Sequence, residues 1–276
     1  MFLTPLTSLT WAYQLHYYLS FRTHLRRHCF DGPHREVLDK VVREICHRHH
    51  YHLLQSQSYP EQLRLSLSLR PEQALSAVAQ TIKANSSREC AVQLSLSTAV
   101  WGRGYLALSS GRMRIAAVRQ YLESQPGHHG YLARILPPVF RYRAAQPVTL
   151  TGAHASFVLH YHLVFATWYR RGVFTSGLGR ALGEYWLRVA AKNGFAIDQI
   201  SVVPDHVHLL VRLVPKLSIE FCALSLMNNA HHFIGSNFPQ MLIKAEVSQL
   251  WQPSAYAGTC GEVTTALIKA WLNSGD

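Results

Sequence analysis

The chain repeats itself. Residues 13–30, YQLHYYLSFRTHLRRHCF, lie over residues 157–174, FVLHYHLVFATWYRRGVF, at an offset of 144, and nine of the eighteen positions are identical without a gap. The same offset sets Pro60 over Pro204 and Pro71 over Pro215. After a slip of six residues, Trp101 lies over Trp251, Gly111 over Gly261 and Leu122 over Leu272. A repeat of this length is read before any single element, because it fixes the architecture: two similar units in tandem.

Each copy carries the same coarse order. In the second, alternation over 157–167 predicts a strand, and an amphipathic helix over 176–193 closes at Gly194. Two strands, 195–203 and 205–213, flank a tight turn at Pro204, and a second helix follows over 218–234. A short strand near 255–259 and a last helix over 261–273 complete the copy. The first copy reads as strand 13–23, helix 34–49, strands 51–59 and 61–69, helix 72–85, strand 104–109 and helix 111–124. This is βαββαβ plus a C-terminal helix, the ferredoxin-like order. The expected fold class is α+β: two tandem ferredoxin-like domains with antiparallel sheets, packed as an intramolecular pseudo-dimer. The expected divisions are 1–125, a basic Pro/Gly-containing linker over 126–156, and 157–276. At about 30 residues that linker is long for a structureless loop.

The chain has 276 residues, enough for two modest cores, and no apolar run long enough to span a membrane. The N-terminus lacks the basic and apolar regions of a signal peptide. Five cysteines, odd in number and without a CxxC pair, suggest neither a disulfide framework nor a zinc-thiolate site. A cytoplasmic, nucleoid-associated protein is expected. The net charge of +12 points to a polyanionic partner. The excess lies early: residues 1–125 hold 15 Lys+Arg against 8 Asp+Glu, residues 126–156 hold 3 against none, and residues 157–276 hold 9 against 7.

Val202–Val211 carries the chemistry. Its alternation places His206 and His208 on one strand face, about 7 Å apart along the strand. Two imidazoles on a stiff element can hold one metal ion with little entropy left to lose. Spacing alone leaves open the alternative, two histidines on a wet sheet face.

The flanking residues favour the metal. Tyr161-His162-Leu163-Val164-Phe165, Arg170-Arg171, Pro204-Asp205-His206-Val207-His208-Leu209-Leu210-Val211 and Trp251 together resemble the single-tyrosine HUH transposases: the small insertion-sequence enzymes and the REP-associated tyrosine transposases. The resemblance covers nearly all of 157–276 and, degenerately, 13–125. It implies a divalent metal, Mg²⁺ or Mn²⁺, on the two histidines, and single-stranded DNA, with a hairpin, as substrate. It implies a tyrosine on the last helix that attacks phosphorus to give a 5′-phosphotyrosine. A glutamine four residues later on the same helix face completes the metal site. Tyrosine is a poor nucleophile unless the phosphodiester is activated.

The copies depart from that pattern in complementary ways. In the second, Trp271 stands at the tyrosine position and Gly275 at the glutamine position. In the first, Gln62 and Arg64 replace the histidines, while Tyr121 and Gln125 are kept. The resemblance implies dimers whose sites form in trans. The expectation is therefore one composite site, with Tyr121 and Gln125 from the first copy and His206 and His208 from the second. A degenerate site of Gln62, Arg64 and Trp271 is its counterpart. Asp205 either orients a histidine or caps the turn. Arg64 is either a phosphate clamp or a solvated arginine. Trp101 and Trp251 read as core rather than stacking platforms. Arg26, Arg27, Arg170, Arg171, Arg141 and Arg143 are candidate nucleic-acid contacts. The competing function is a non-catalytic binder of DNA or RNA hairpins.

Overall fold

The computed structural model describes residues 4–96, 100–111, 113–124 and 139–273. In chain order the elements are β1 (Thr10–Gln14), β2 (His16–Arg22), α1 (His34–Arg48), β3 (His52–Tyr59), β4 (Gln62–Ser68), α2 (Leu75–Leu94), β5 (Tyr105–Ser110), α3 (Ile115–Ser124) and β6 (Phe140–Arg143). The second copy follows with β7 (Ala155–Val158), β8 (His160–Thr167), α4 (Ser176–Asn193), β9 (Ala196–Val203), β10 (His206–Arg212), α5 (Ile219–Asn237), α6 (Pro239–Lys244), β11 (Trp251–Cys260) and α7 (Thr265–Asn273). Short 3₁₀ turns over His24–Arg26 and Trp168–Arg170 occupy equivalent places.

The chain forms two mixed sheets, one per copy, with the strands expected of a tandem ferredoxin-like pair. The first has the order β3-β4-β2-β5-β7 and the second β1-β11-β8-β10-β9-β6. Two differences from the sequence reading matter. The opening strand of each copy is split, at Leu15 and at Leu159, and its first half is exchanged. β1 pairs parallel with β11 of the second copy, and β7 pairs parallel with β5 of the first. The sheets are therefore not purely antiparallel. A continuous apolar alternation carries no mark of a strand changing sheets, which is why one strand was expected.

Hydroxyls stitch the crossing. Where the strand changes sheet, the backbone N–H of His160 donates to Ser109 Oγ at 2.9 Å, and that of His16 donates to Thr259 Oγ1 at 3.0 Å. Those hydroxyls donate in turn to the carbonyls of Cys260 and Ser110, each at 2.6 Å. Backbone donors without a ladder partner are thus satisfied by side chains of the other copy. A Cβ on Gly111 would lie 2.0 Å from the Thr259 carbonyl oxygen, so only glycine permits this approach.

The second difference lies in the segment between the copies. Residues 140–143 add an edge strand to the second sheet, and 155–158 belong to the first sheet. Phe140 seats against α4 at Gly179 and Gly183, where a Cβ would come within 2.9 and 2.4 Å of it. α2 also runs to Leu94, beyond the predicted end at 85.

The main core is continuous across both copies. It includes Phe21, Phe30 and Trp101 on one side and Phe165, Trp186 and Trp251 on the other. Trp101 and Trp251 are both buried, as their reading as core residues requires. The C-terminal helices are exchanged too. α3 buries Val118 and Leu122 against Leu210 and Cys260 of the second copy, and α7 buries Trp271 against Tyr18, Leu106 and Leu108 of the first. A ten-residue helix is marginal alone. Two fully buried aliphatic side chains contribute roughly 3–6 kcal/mol, which is what docks α3. No helix among the described residues is long and apolar enough to cross a membrane.

Candidate active site

His206 and His208 stand on β10 with side chains on the face that α3 covers. Both are buried, and their rings lie 4.9 Å apart. The exchange of α3 brings Tyr121 to them: its ring lies 5.5 Å from that of His208, edge-on at 78°. Tyr121 and the two histidines line one open cleft of about 530 Å³, with Met113, His162, Val164, Arg170 and Tyr256.

Each metal-candidate histidine is held through Nδ1. Asp205 Oδ1 lies 2.7 Å from His206 Nδ1, and Asp205 Oδ2 pairs with Arg170 Nε at 2.8 Å. Burial alone would raise the Asp205 pKa. The His206 hydrogen bond and the charges of His206 and Arg170 outweigh it and hold the carboxyl below the usual range. The Asp205 carboxylate contacts His206, while its backbone carbonyl accepts from the Thr167 N–H and hydroxyl at the turn. His208 Nδ1 lies 3.0 Å from His162 Nε2, with the two rings stacked at 15°. Burial pushes His162 down to about 4, so it is neutral at neutral pH. Burial also raises the Tyr121 pKa, so the phenol keeps its proton in the resting protein.

His162 was not among the site residues expected from sequence. The sequence signal was its place in the Tyr161–Phe165 motif; in the structure it pairs directly with Leu210 and so stands diagonal to His208 on the same face. Gln125 lies outside the described residues. Among the described residues, no group of three or more His, Cys, Asp or Glu is arranged to hold a metal ion.

In the degenerate counterpart the replaced positions bond to groups of the fold. Gln62 Nε2 donates to Ser20 Oγ at 2.7 Å, and Arg64 Nε donates to Gln62 Oε1 at 3.1 Å. Arg64 also stacks over the Tyr59 ring at 4.4 Å, so it is not a fully solvated arginine. Trp271 is buried, with the Arg22 guanidinium 4.3 Å from its ring centre. Tyr18 occupies the position of His162 in this copy.

The candidate nucleic-acid arginines separate by partner. Arg26 donates to the Leu272 carbonyl, Arg171 pairs with Glu246 at 3.6 Å, and Arg143 pairs with Glu123 of α3 at 2.6 Å. Arg170 belongs to the site through Asp205. Arg27 and Arg141 are exposed. Arg141 shares a cross-sheet row with Ser201 and His208.

Two ferredoxin-like copies exchange opening strands and C-terminal helices, with a tyrosine from one beside a histidine pair of the other: the chain is a tandem duplication whose cleft is lined by both copies. The family described as "Transposase IS200 like" matches residues 11–125 and again residues 155–274, and the chain belongs to that family. The ISDra2 transposase TnpA of Deinococcus radiodurans is 30% identical over 118 residues, 43% of this chain and 84% of its own length. The transposase for insertion sequence element IS200 of Salmonella typhimurium is 27% identical over 120 residues, 44% of this chain and 78% of its own. A crystal structure from Deinococcus radiodurans R1 aligns at 29% identity over 45% of this chain and 95% of its own, with a TM-score of 0.39. The two insertion-sequence transposases each match about one copy, in keeping with a tandem duplication.

Proposed function

We propose that this transposase-family chain is a metal-dependent single-stranded DNA endonuclease and strand transferase with one composite site. The observation that supports it most is the Tyr121–His208 approach, since the two residues come from different copies. A divalent ion belongs on His206 and His208 in this reading, and the way both rings are held supports it. With Asp205 and His162 engaging the Nδ1 atoms, Nε2 is the nitrogen each ring would offer, and Gln125 is the proposed third ligand. For His208 to offer an Nε2 lone pair, its proton must sit on Nδ1 and be donated to His162 Nε2. Imidazole ligands favour Mn²⁺ over the oxygen-seeking Mg²⁺. When bound, the ion polarises the scissile phosphate and stabilises its developing charge.

The chain's own residues do the rest. Tyr121 Oη forms a bond to phosphorus as the P–O3′ bond breaks. The phenol loses its proton and the departing 3′ oxygen gains one, leaving a 5′-phosphotyrosine and a 3′-OH. Because the phosphodiester energy is kept in the tyrosyl link, a 3′-OH attacking in reverse rejoins the strand without ATP. With Gln62, Arg64 and Trp271 at the other position, the chain holds one covalent end at a time. Hairpin-bearing DNA is the proposed substrate, and nicking or stepwise transfer the proposed activity.

The test is incubation of the full chain with end-labelled single-stranded DNA and Mn²⁺ or Mg²⁺. The expected result is a covalent adduct that EDTA prevents. Tight, salt-sensitive binding without any adduct would instead mark a non-catalytic hairpin binder.

A further inference from the structure

The 3₁₀ turn that delivers Arg170 to Asp205 is strained. Tyr169 and Arg170 both sit in the left-handed region, at φ 51 and 57, and neither is glycine. Such a conformation is disfavoured for a residue with a Cβ and persists where the surroundings over-determine it. Here it holds Arg170 inward and turns Tyr169 outward, 78% exposed. Trp168 stands beside it, the two rings 5.3 Å apart and edge-on at 77°. Trp168 and Tyr169 form one wall of a cleft of about 390 Å³, whose other wall is Thr10, Gln252, Pro253 and Ser254. That wall exists because β11 slips register against β8 between Trp251 and Ala255, which opens the strand at 252–254.

The aromatic cleft adjoins the candidate site. Arg170, next in sequence to Tyr169, lines the site cleft, and so does Tyr256, two residues along β11 from Ser254. The same turn in the first copy has the same left-handed φ values, at Leu25 and Arg26. There the aromatic pair is replaced by His24 and Leu25, and the equivalent cleft is lined by Arg22, His24, Arg103 and His154. The strain is thus common to both copies, but the aromatic platform occurs only beside the histidine pair.

We propose that Trp168 and Tyr169 form a stacking platform for an unpaired base of the single strand whose phosphate is held in the neighbouring site. The ligand class is the π-face of a nucleobase, which any single-stranded DNA offers without sequence preference. What argues for nucleic acid as the occupant is that the aromatic cleft adjoins the site cleft, through Tyr169 and Arg170 on one side and Ser254 and Tyr256 on the other. The proposal rests on the single-strand substrate proposed above, and needs no cleavage.

The test measures binding by the full chain in EDTA, so catalysis plays no part. The probes are a fluorescein-labelled oligothymidylate and an abasic phosphodiester oligomer of equal length. Tyr169→Asn removes the ring while keeping a residue that tolerates the left-handed turn. It is expected to weaken oligothymidylate binding about 5- to 150-fold, the range for one stacked base, and to leave the abasic oligomer unchanged. Tyr169→Phe should bind both probes as the parent does, and Leu25→Ala in the twin turn should alter neither. Quenching of Trp168 fluorescence by oligothymidylate, absent in Trp168→Leu, would support the platform independently. Undiminished oligothymidylate binding by Tyr169→Asn, or equal weakening toward both probes, overturns it. An adduct that persists in Tyr121→Phe would count against the composite site and leave the platform standing.

Discussion

Tyr121 and His208 meet edge-on with their rings 5.5 Å apart, although one belongs to the first copy and the other to the second. Neither copy holds both. The first offers Gln62 and Arg64 where the second has its histidines, and the second offers Trp271 where the first has its tyrosine.

Restoring half of the degenerate site is therefore predicted to achieve nothing. Gln62→His with Arg64→His supplies imidazoles, but indole at 271 has no nucleophilic oxygen. The double variant should form no more than one adduct per chain. Adding Trp271→Tyr and Gly275→Gln should raise the yield toward two, counted by intact-protein mass spectrometry. Two adducts from the double variant would show that the nucleophile lies elsewhere.

His162 is predicted to act through His208. His162→Ala removes the group that fixes the His208 tautomer and should weaken Mn²⁺ affinity about 10- to 100-fold. His162→Gln, whose amide oxygen can accept from Nδ1, should recover part of that loss. Mn²⁺-dependent shifts in melting temperature report both. Equal metal affinity in all three proteins would remove His162 from the site.

Gly111 tests the exchanged fold. A Cβ there would sit 2.0 Å from a backbone oxygen of the other copy, and backbone cannot step aside as a side chain can. Gly111→Ala should lower stability by about 3 kcal/mol or more, against about 1 kcal/mol of stabilisation at a site with room. A melting temperature at or above that of the parent protein would argue against the crossing.

His160 gives a pH signature remote from the histidine pair. Burial pushes its pKa down to about 4; the nearby Asp198 carboxylate raises it, and Arg212 and Arg119 lower it further. The unfolded chain takes up this proton near 6.5 and the folded chain near 4. The contribution to stability is thus complete above pH 6.5. It is lost as pH falls toward 4, at up to about 1.4 kcal/mol per unit. His160→Gln should lessen the slope of the denaturation midpoint across that window, leaving the share of His162, which burial also pushes to about 4, and an unchanged slope would refute the assignment.

Much of this was legible in the sequence. The duplication, the ferredoxin-like order and the complementary loss of functional residues are all carried by residue identity at a fixed offset. What escaped is what identity does not encode. The breaks at Leu15 and Leu159 look like ordinary apolar positions, because both leucines are buried in the core like their neighbours on β2 and β8. β6 is only four residues, Phe140–Arg143, and its register depends on the notch at Gly179 and Gly183 rather than on its own pattern. His162 lies in the matching motif, but its contact with His208 follows only from the pairing of β8 with β10. The Trp168–Tyr169 pair was matched as sequence, and its exposure follows only from the left-handed turn.

Mixing tests the intramolecular site most directly. Tyr121→Phe keeps the histidine pair without the nucleophile, and His206→Ala keeps the nucleophile without the pair. With labelled single-stranded DNA and Mn²⁺, the parent chain should form an adduct that peptide mapping assigns to Tyr121. Each variant alone should form none, and the equimolar mixture should stay inactive, because each α3 is docked within its own chain. An adduct in Tyr121→Phe, or one restored by mixing, would contradict a single composite site within one chain.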